Sequence, residues 1–339
     1  VVSKVADIRV ALLRADCHAY TFGPLMAPCD VKVYAKNFHA EYYWMIDAYR
    51  PHVLKVPVQS GIEIVKVWDR DPEKAQGVAD MFFGKPQVCR NVEEMTEGID
   101  AAFINNGNYD GGDHLELATP FLRKGIPTFI DKPLADTLKN AVAIVKMAKK
   151  HNAPLFSASI LHYVHEVDYL KARYPELTGP VVRGVINSVG WAAGLGGIIH
   201  GLALAQAVFG TGVEWVECMG EGPMEYLLEH YTDSREVLVI NAPPESFERF
   251  ICDVYSRSGS NCPPEPSHLR SNPMGDREFV RGAIRIVQLF KEMVQTRKPP
   301  VPYENLLEWI AIVDAGWLAQ KERRRVYLRD LPDWPGCSG

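Results

Sequence analysis

A lysine held where a sheet ends can polarise a substrate oxygen, and Asp131-Lys132-Pro133, following the apolar run Pro127-Thr-Phe-Ile, offers that arrangement. Open α/β sheets bind ligands at their carboxyl edge, and a fixed positive charge there stabilises an alkoxide as it develops. The alternative is a solvated surface lysine. Proton-moving chemistry would come from histidine. His200 opens a helical run closed by Gly210, and His162, Tyr163, His165 and Glu166 cluster at the start of a helix expected from Tyr163 to Arg173. Positions 162, 165 and 166 would then share one face. These histidines bind substrate hydroxyls, pack, or join His200 in a three-imidazole metal site; the reading taken is substrate binding by His162, His165, Lys132 and His200, with no metal.

A second group of residues has the chemistry of a nucleotide site. Asp69 ends the strand Ile62–Trp68, where an acidic side chain takes the ribose hydroxyls of NAD in preference to NADP. Arg70 beside it would tolerate a 2′-phosphate, and Asp69-Arg70-Asp71 would equally cap the helix opened by Pro72. The first strand, Ile8–Leu13, runs into Arg14-Ala15-Asp16-Cys17-His18-Ala19. After the strand ending at Ile104 comes a loop, Asn105-Asn-Gly-Asn-Tyr-Asp-Gly-Gly-Asp113, whose amides, including those of Asn106 and Asn108, could receive an anion. Arg14 could contact a phosphate directly, or the loop could fill the space itself.

The stretch around Lys132 resembles the glucose-fructose oxidoreductase, inositol dehydrogenase and MocA (Gfo/Idh/MocA) family, which carries Glu-Lys-Pro there; Asp131 stands for the glutamate. His114, eleven residues before Gly125, and the run Glu304 to Leu328 extend the resemblance. It implies an NAD(P)-dependent oxidoreductase acting on a hydroxyl or keto group of a sugar, glycoside or cyclitol. Lys132 would touch both the substrate hydroxyl and the nicotinamide ribose. His200 would be the base. Relatives keep an aspartate four residues before it; here Gly196 stands there, and Tyr163 could replace it as acid or base. The family's Gly-x-Gly-x-x-Gly positions fall on Arg14, Asp16 and Ala19. Cofactor contacts are therefore expected from Arg14, Asp16, Cys17 and His18, from Asp69 and Arg70, and from Asn106, Asn108, His114, Asp131 and Lys132. The rival readings are a lyase, hydratase or isomerase on a keto-sugar, using the histidines with or without a metal, and a catalytically silent sugar-binding relative.

The elements that would position these groups alternate strand and helix up to Pro154, as in a doubly wound parallel sheet. We expect a Rossmann-like dinucleotide domain over 1–154 and an α+β substrate and oligomerisation domain over 155–339, with a mainly antiparallel sheet. The helix 304–322 is expected to pack back towards the first domain. An aromatic insertion, 31–61, contains a possible helix from Phe38 to Arg50, read as packing or subunit contact ahead of a substrate-site wall.

The 339 residues suit two domains, and 37 basic against 42 acidic residues give a net charge of -5 with no footprint for nucleic acid or anionic membrane. Seven cysteines without C-x-x-C spacing read as reduced thiols. No leader or spanning run is visible, so the expectation is a cytoplasmic homo-oligomer, joined through the C-terminal sheet, with a small carbohydrate or polyol substrate.

Overall fold

Short β-branched and aromatic runs, apolar at nearly every position, form a six-stranded sheet buried on both faces. In the computed structural model, which describes residues 7–36, 58–106, 110–189, 195–242, 250–257 and 267–335, these are β1 (Ile8–Leu13), β2 (Ile62–Trp68), β3 (Gln87–Val88), β4 (Ala101–Ile104), β5 (Thr128–Ile130) and β6 (Leu155–Phe156). All pair in parallel in the order β3-β2-β1-β4-β5-β6, the doubly wound order of dinucleotide folds. Its core is aromatic: Phe103 stacks on Phe129 at 4.2 Å and meets Phe290 edge-on at 5.0 Å, while Phe22 lies 5.3 Å from Phe103. All four rings are almost wholly buried. Removing one such ring typically costs roughly 3–5 kcal/mol.

Register decides what this sheet displays. Leu13 pairs with Trp68 on one side and Ile104 on the other, and Ile104 pairs with Ile130. The next residues, Arg14, Asp69, Asn105 and Asp131, therefore form one row along the carboxyl edge.

A second sheet contains β7 (Val181–Val189), β8 (Val213–Met219), β9 (Tyr226–Tyr231), β10 (Glu236–Ala242), β11 (Ile251–Ser256), β12 (His268–Arg270) and β13 (Val326–Tyr327) in the order β12-β11-β7-β10-β9-β8-β13. Its pairings are antiparallel except β7 with β10. The helix Leu195–Phe209 packs on it closely, because a Cβ on Gly201 would stand 2.8 Å from both Ser188 and Val239. The α/β sheet plus mainly antiparallel sheet is the architecture expected from the sequence.

The chain divides into one unit made of Val1–Ala135, Ala143–Ala158 and Ala283–Tyr303, and another made of Asp136–Val142, Ser159–Gly282 and Glu304–Gly339. The helix after Lys132 begins at Leu138, because the residues following Pro133 form bends. One expected element differs. The expected helix from Tyr163 is two pieces, a 3-10 turn Ile160–Tyr163 and a helix His165–Ala172, because Val164 is extended (φ -72°, ψ 148°) and Ser159 caps the first piece. His162 and His165 thus do not share a single helical face. The expected helix Phe38–Arg50 lies outside the described residues. No helix among the described residues is long and apolar enough to cross a membrane, and Cys17, Cys29, Cys89, Cys218 and Cys252 are free thiols.

Candidate functional site

The carboxyl edge of the first sheet is built outward from the row already described. Backbone bonds fix it: Arg14 N–H donates to Trp68 O at 2.8 Å, Asn105 N–H to Leu13 O at 2.9 Å, and Asp131 N–H to Ile104 O at 3.0 Å. Lys132 is buried at 4% exposure, its amide donates to Asp131 Oδ1 at 2.8 Å, and its bond to Pro133 is cis. Asp131 Oδ2 meets His18 Nδ1 from the first helix, Cys17–Met26. Sequence reading placed Asp131, Lys132 and His18 at one site without that pairing. Loop and turn also meet, since a Cβ on Gly111 would lie 3.0 Å from Pro133 O.

His114 starts the helix His114–Arg123 and is fully buried. Its Nδ1–H donates to Pro133 O at 2.8 Å, so Nε2 is the unprotonated nitrogen and has no partner among the described residues. Burial holds its pKa below the ordinary histidine range, so the ring is neutral. Fully buried Asn105 leaves both amide atoms without a partner among the described residues. The sequence reading named its neighbours Asn106 and Asn108 instead. Asn106 donates to Asp113 Oδ1, and Asn108 lies outside the described residues. The signal that finds Asn105 is its register, one residue past a strand end that aligns with Leu13 and Ile130.

At the head of β1 and β2, Asp69 Oδ2 accepts Ala15 N–H at 2.8 Å and Oδ1 accepts Asp71 N–H at 2.9 Å. Asp71, not Asp69, caps the helix Pro72–Met81. Each Asp69 oxygen keeps a second lone pair. Asp16 caps the first helix through His18 N–H at 3.0 Å, and Cys17 is that helix's first residue. Half-exposed Arg70 reaches Glu116 at 3.1 Å and Asp113 at 3.6 Å. A dinucleotide fits this set of groups: a buried carboxylate follows β2, a lysine follows β5, and the Asn105 amide, unpaired among the described residues, lies in the same row.

The second unit holds a separate polar cluster around Ser159. Its Oγ lies 2.7 Å from His200 Nδ1 and accepts Leu161 N–H at 3.2 Å. Ser159 N–H donates to His162 Nδ1 at 3.1 Å, so His162 Nε2–H points to Gln206 Oε1 at 3.3 Å. Gln206 in turn donates to Asn305 O at 3.0 Å, and Trp309 meets the His162 ring edge-on at 4.9 Å. Loss of hydration pushes the His162 pKa down to about 4, leaving the ring neutral with both nitrogens engaged. Tyr163 is half-buried beside it with ring centroids 6.0 Å apart, whereas His165 is exposed. Among the described residues no group of three or more His, Cys, Asp or Glu side chains is placed to hold a metal ion. Ser159 escaped sequence reading because its partner His200 is distant in sequence.

Residues 45–159 match the family described as "Oxidoreductase family, NAD-binding Rossmann fold", Gfo/Idh/MocA. A myo-inositol dehydrogenase from Streptomyces leeuwenhoekii is 29% identical over 105 residues, which is 31% of this chain and 31% of that protein. The matched part of the chain thus spans about a third of that curated relative's length. A myo-inositol dehydrogenase from Lactobacillus casei, solved with NAD(H) and myo-inositol, superposes with a TM-score of 0.71 at 16% identity over 95% of this chain and 96% of that one. An oxidoreductase from Agrobacterium radiobacter, solved with NAD+, L-tartaric acid and magnesium, gives 0.70 at 16% identity over 96% and 99%. At such identities these structures establish the fold.

Proposed function

We propose, from the match of residues 45–159 to the Gfo/Idh/MocA oxidoreductase family, that the chain is an NAD-dependent dehydrogenase or reductase of a polyol, sugar or cyclitol hydroxyl. The observation that carries this reading is Lys132, buried and pinned at the carboxyl edge of a parallel sheet of dinucleotide-binding order. Bound nicotinamide supplies the hydride acceptor. Asp69 would receive the adenosine ribose hydroxyls, and Asn105 would answer the polar edge of the cofactor with its buried amide. Lys132 donates to the reacting oxygen and stabilises its charge. His18, through Asp131, orients the backbone that carries Lys132.

His200 removes the hydroxyl proton, with Tyr163 as the second proton carrier and His162 holding Ser159 in place. Ser159 Oγ, 2.7 Å from His200 Nδ1, fixes the orientation of that ring. His165, exposed at the start of its helix, contacts the outer hydroxyls of a substrate. Self-association would use the second sheet, where exposed Met219 and Tyr226 pair across neighbouring strands.

The test is a panel of inositols, sugar alcohols and keto-sugars assayed in both directions with NAD+, NADP+ and their reduced forms, following nicotinamide absorbance. Turnover of a polyol with NAD+ supports the reading. Calorimetric binding of cofactor with no turnover across the panel would point to the silent relative. Turnover of a keto-sugar without any nicotinamide would point to the lyase or isomerase.

A further inference from the structure

Dinucleotide folds meet the diphosphate with backbone amides of a glycine-rich turn at the first helix N-terminus. Two amides of the corresponding turn are already engaged here. Ala15 N–H donates to Asp69 at 2.8 Å, and His18 N–H to Asp16 at 3.0 Å. The Asp16 carboxylate also brings negative charge to the helix end that would otherwise attract an anion. Nevertheless the turn keeps a glycine-like backbone, because Arg14 has φ 69°, in the left-handed region that side chains disfavour.

The Arg14 side chain is also unusual. It is 12% exposed, and its guanidinium lies 3.8 Å from Asp69 and 3.9 Å from Asp113, close enough for attraction and too far for hydrogen bonds. Its Nε is buried without a hydrogen-bond partner among the described residues. Next in the same row, Asn105 is fully buried with both amide atoms unpaired among the described residues, a second sign that a polar ligand completes this edge. Two carboxylates restrain Arg14 without satisfying it, which is how a preorganised anion donor is held.

We propose that Arg14 is the diphosphate ligand of this chain, its guanidinium replacing the backbone amides of a glycine turn. The inference rests on the dinucleotide reading above. Arginine pairs with phosphate oxygens through two parallel N–H donors, so one side chain supplies what two amides supply elsewhere. Asp16 opposes this interaction by like charge.

The experiment is calorimetric titration of NADH into the wild type, Arg14→Gly, Arg14→Asn and Asp16→Asn, with thermal melting of each. Glycine and asparagine both tolerate the left-handed backbone, so melting should be unchanged or raised. NADH affinity should nonetheless fall roughly ten- to hundredfold in both Arg14 variants. Asp16→Asn should bind NADH severalfold more tightly. An Arg14→Gly protein that melts normally and binds NADH as well as or better than the wild type overturns the assignment while leaving the oxidoreductase reading standing. A wild type that binds neither NADH nor NADPH overturns both.

Discussion

At the carboxyl edge of the first sheet, Arg14, Asn105 and His114 keep buried polar atoms without partners among the described residues, whereas around Ser159 in the second unit both nitrogens of His162 are engaged. Leaving a buried donor or acceptor unmade costs about 1–3 kcal/mol, so an edge that tolerates several is shaped for something that binds. A cluster that closes on itself contributes rigidity and orientation. Histidines that looked equivalent in sequence thus separate by environment: His162 is a neutral strut with both nitrogens engaged, while His200, with one nitrogen beside Ser159, is the residue we propose as the proton carrier.

The largest expected effect comes from Lys132→Ala, which should lower turnover about 10²–10³-fold while cofactor affinity changes only a few fold. Steady-state kinetics beside calorimetry checks this, and equal losses in both would make Lys132 a binding residue. Next, His200→Asn should reduce kcat about 100-fold with little change in melting. His162→Leu should instead destabilise the fold by about 1–3 kcal/mol and leave kcat within a few fold. If these two variants behave alike, the contrast between strut and proton carrier fails.

A third measurement concerns a buried acid outside both clusters. Glu229 is almost wholly buried, receives a hydrogen bond from Tyr231 at 2.9 Å, and has its pKa pushed up from 4.5 to about 8, chiefly by burial and further by the charge of Glu308. Folding therefore retains a proton that the unfolded chain releases, and stability falls as pH rises from about 4.5 to about 8. Urea unfolding at both ends of that window should show a loss of a few kcal/mol that Glu229→Gln abolishes. A wild type equally stable at both ends would show that the carboxylate is accommodated. The smallest effect is expected for Asn105→Ala, with stability changed by less than about 1 kcal/mol, since no partner among the described residues is lost, but weaker NADH binding. A large melting loss without an affinity change would make Asn105 a structural residue.

Most of the first sheet is legible in the sequence because buried parallel strands such as Ala101–Ile104 and Ile62–Trp68 are short apolar runs between turn residues. The Lys132 turn is legible for the same reason. What escaped depends on contacts remote in sequence. The parallel pairing of β7 with β10 leaves no local mark, and neither does the bond from Ser159 to His200. The break at Val164 was hidden by a histidine spacing that suits a continuous helix. Asn105 and Asn106 are chemically identical neighbours, and only the strand register distinguishes the unpaired amide from the one bonded to Asp113.

The long helix Asp276–Thr296 begins in the unit that starts at Asp136 and ends in the unit that starts at Val1. During synthesis the Rossmann sheet emerges early, yet Phe290, which caps the Phe103 ring, is translated only after most of the other unit. The nascent sheet must wait with that aromatic face uncovered. A fragment cut at Pro154 would lack Phe290 permanently, so truncations meant to isolate the nucleotide half should aggregate unless the segment Ala283–Tyr303 is supplied in trans.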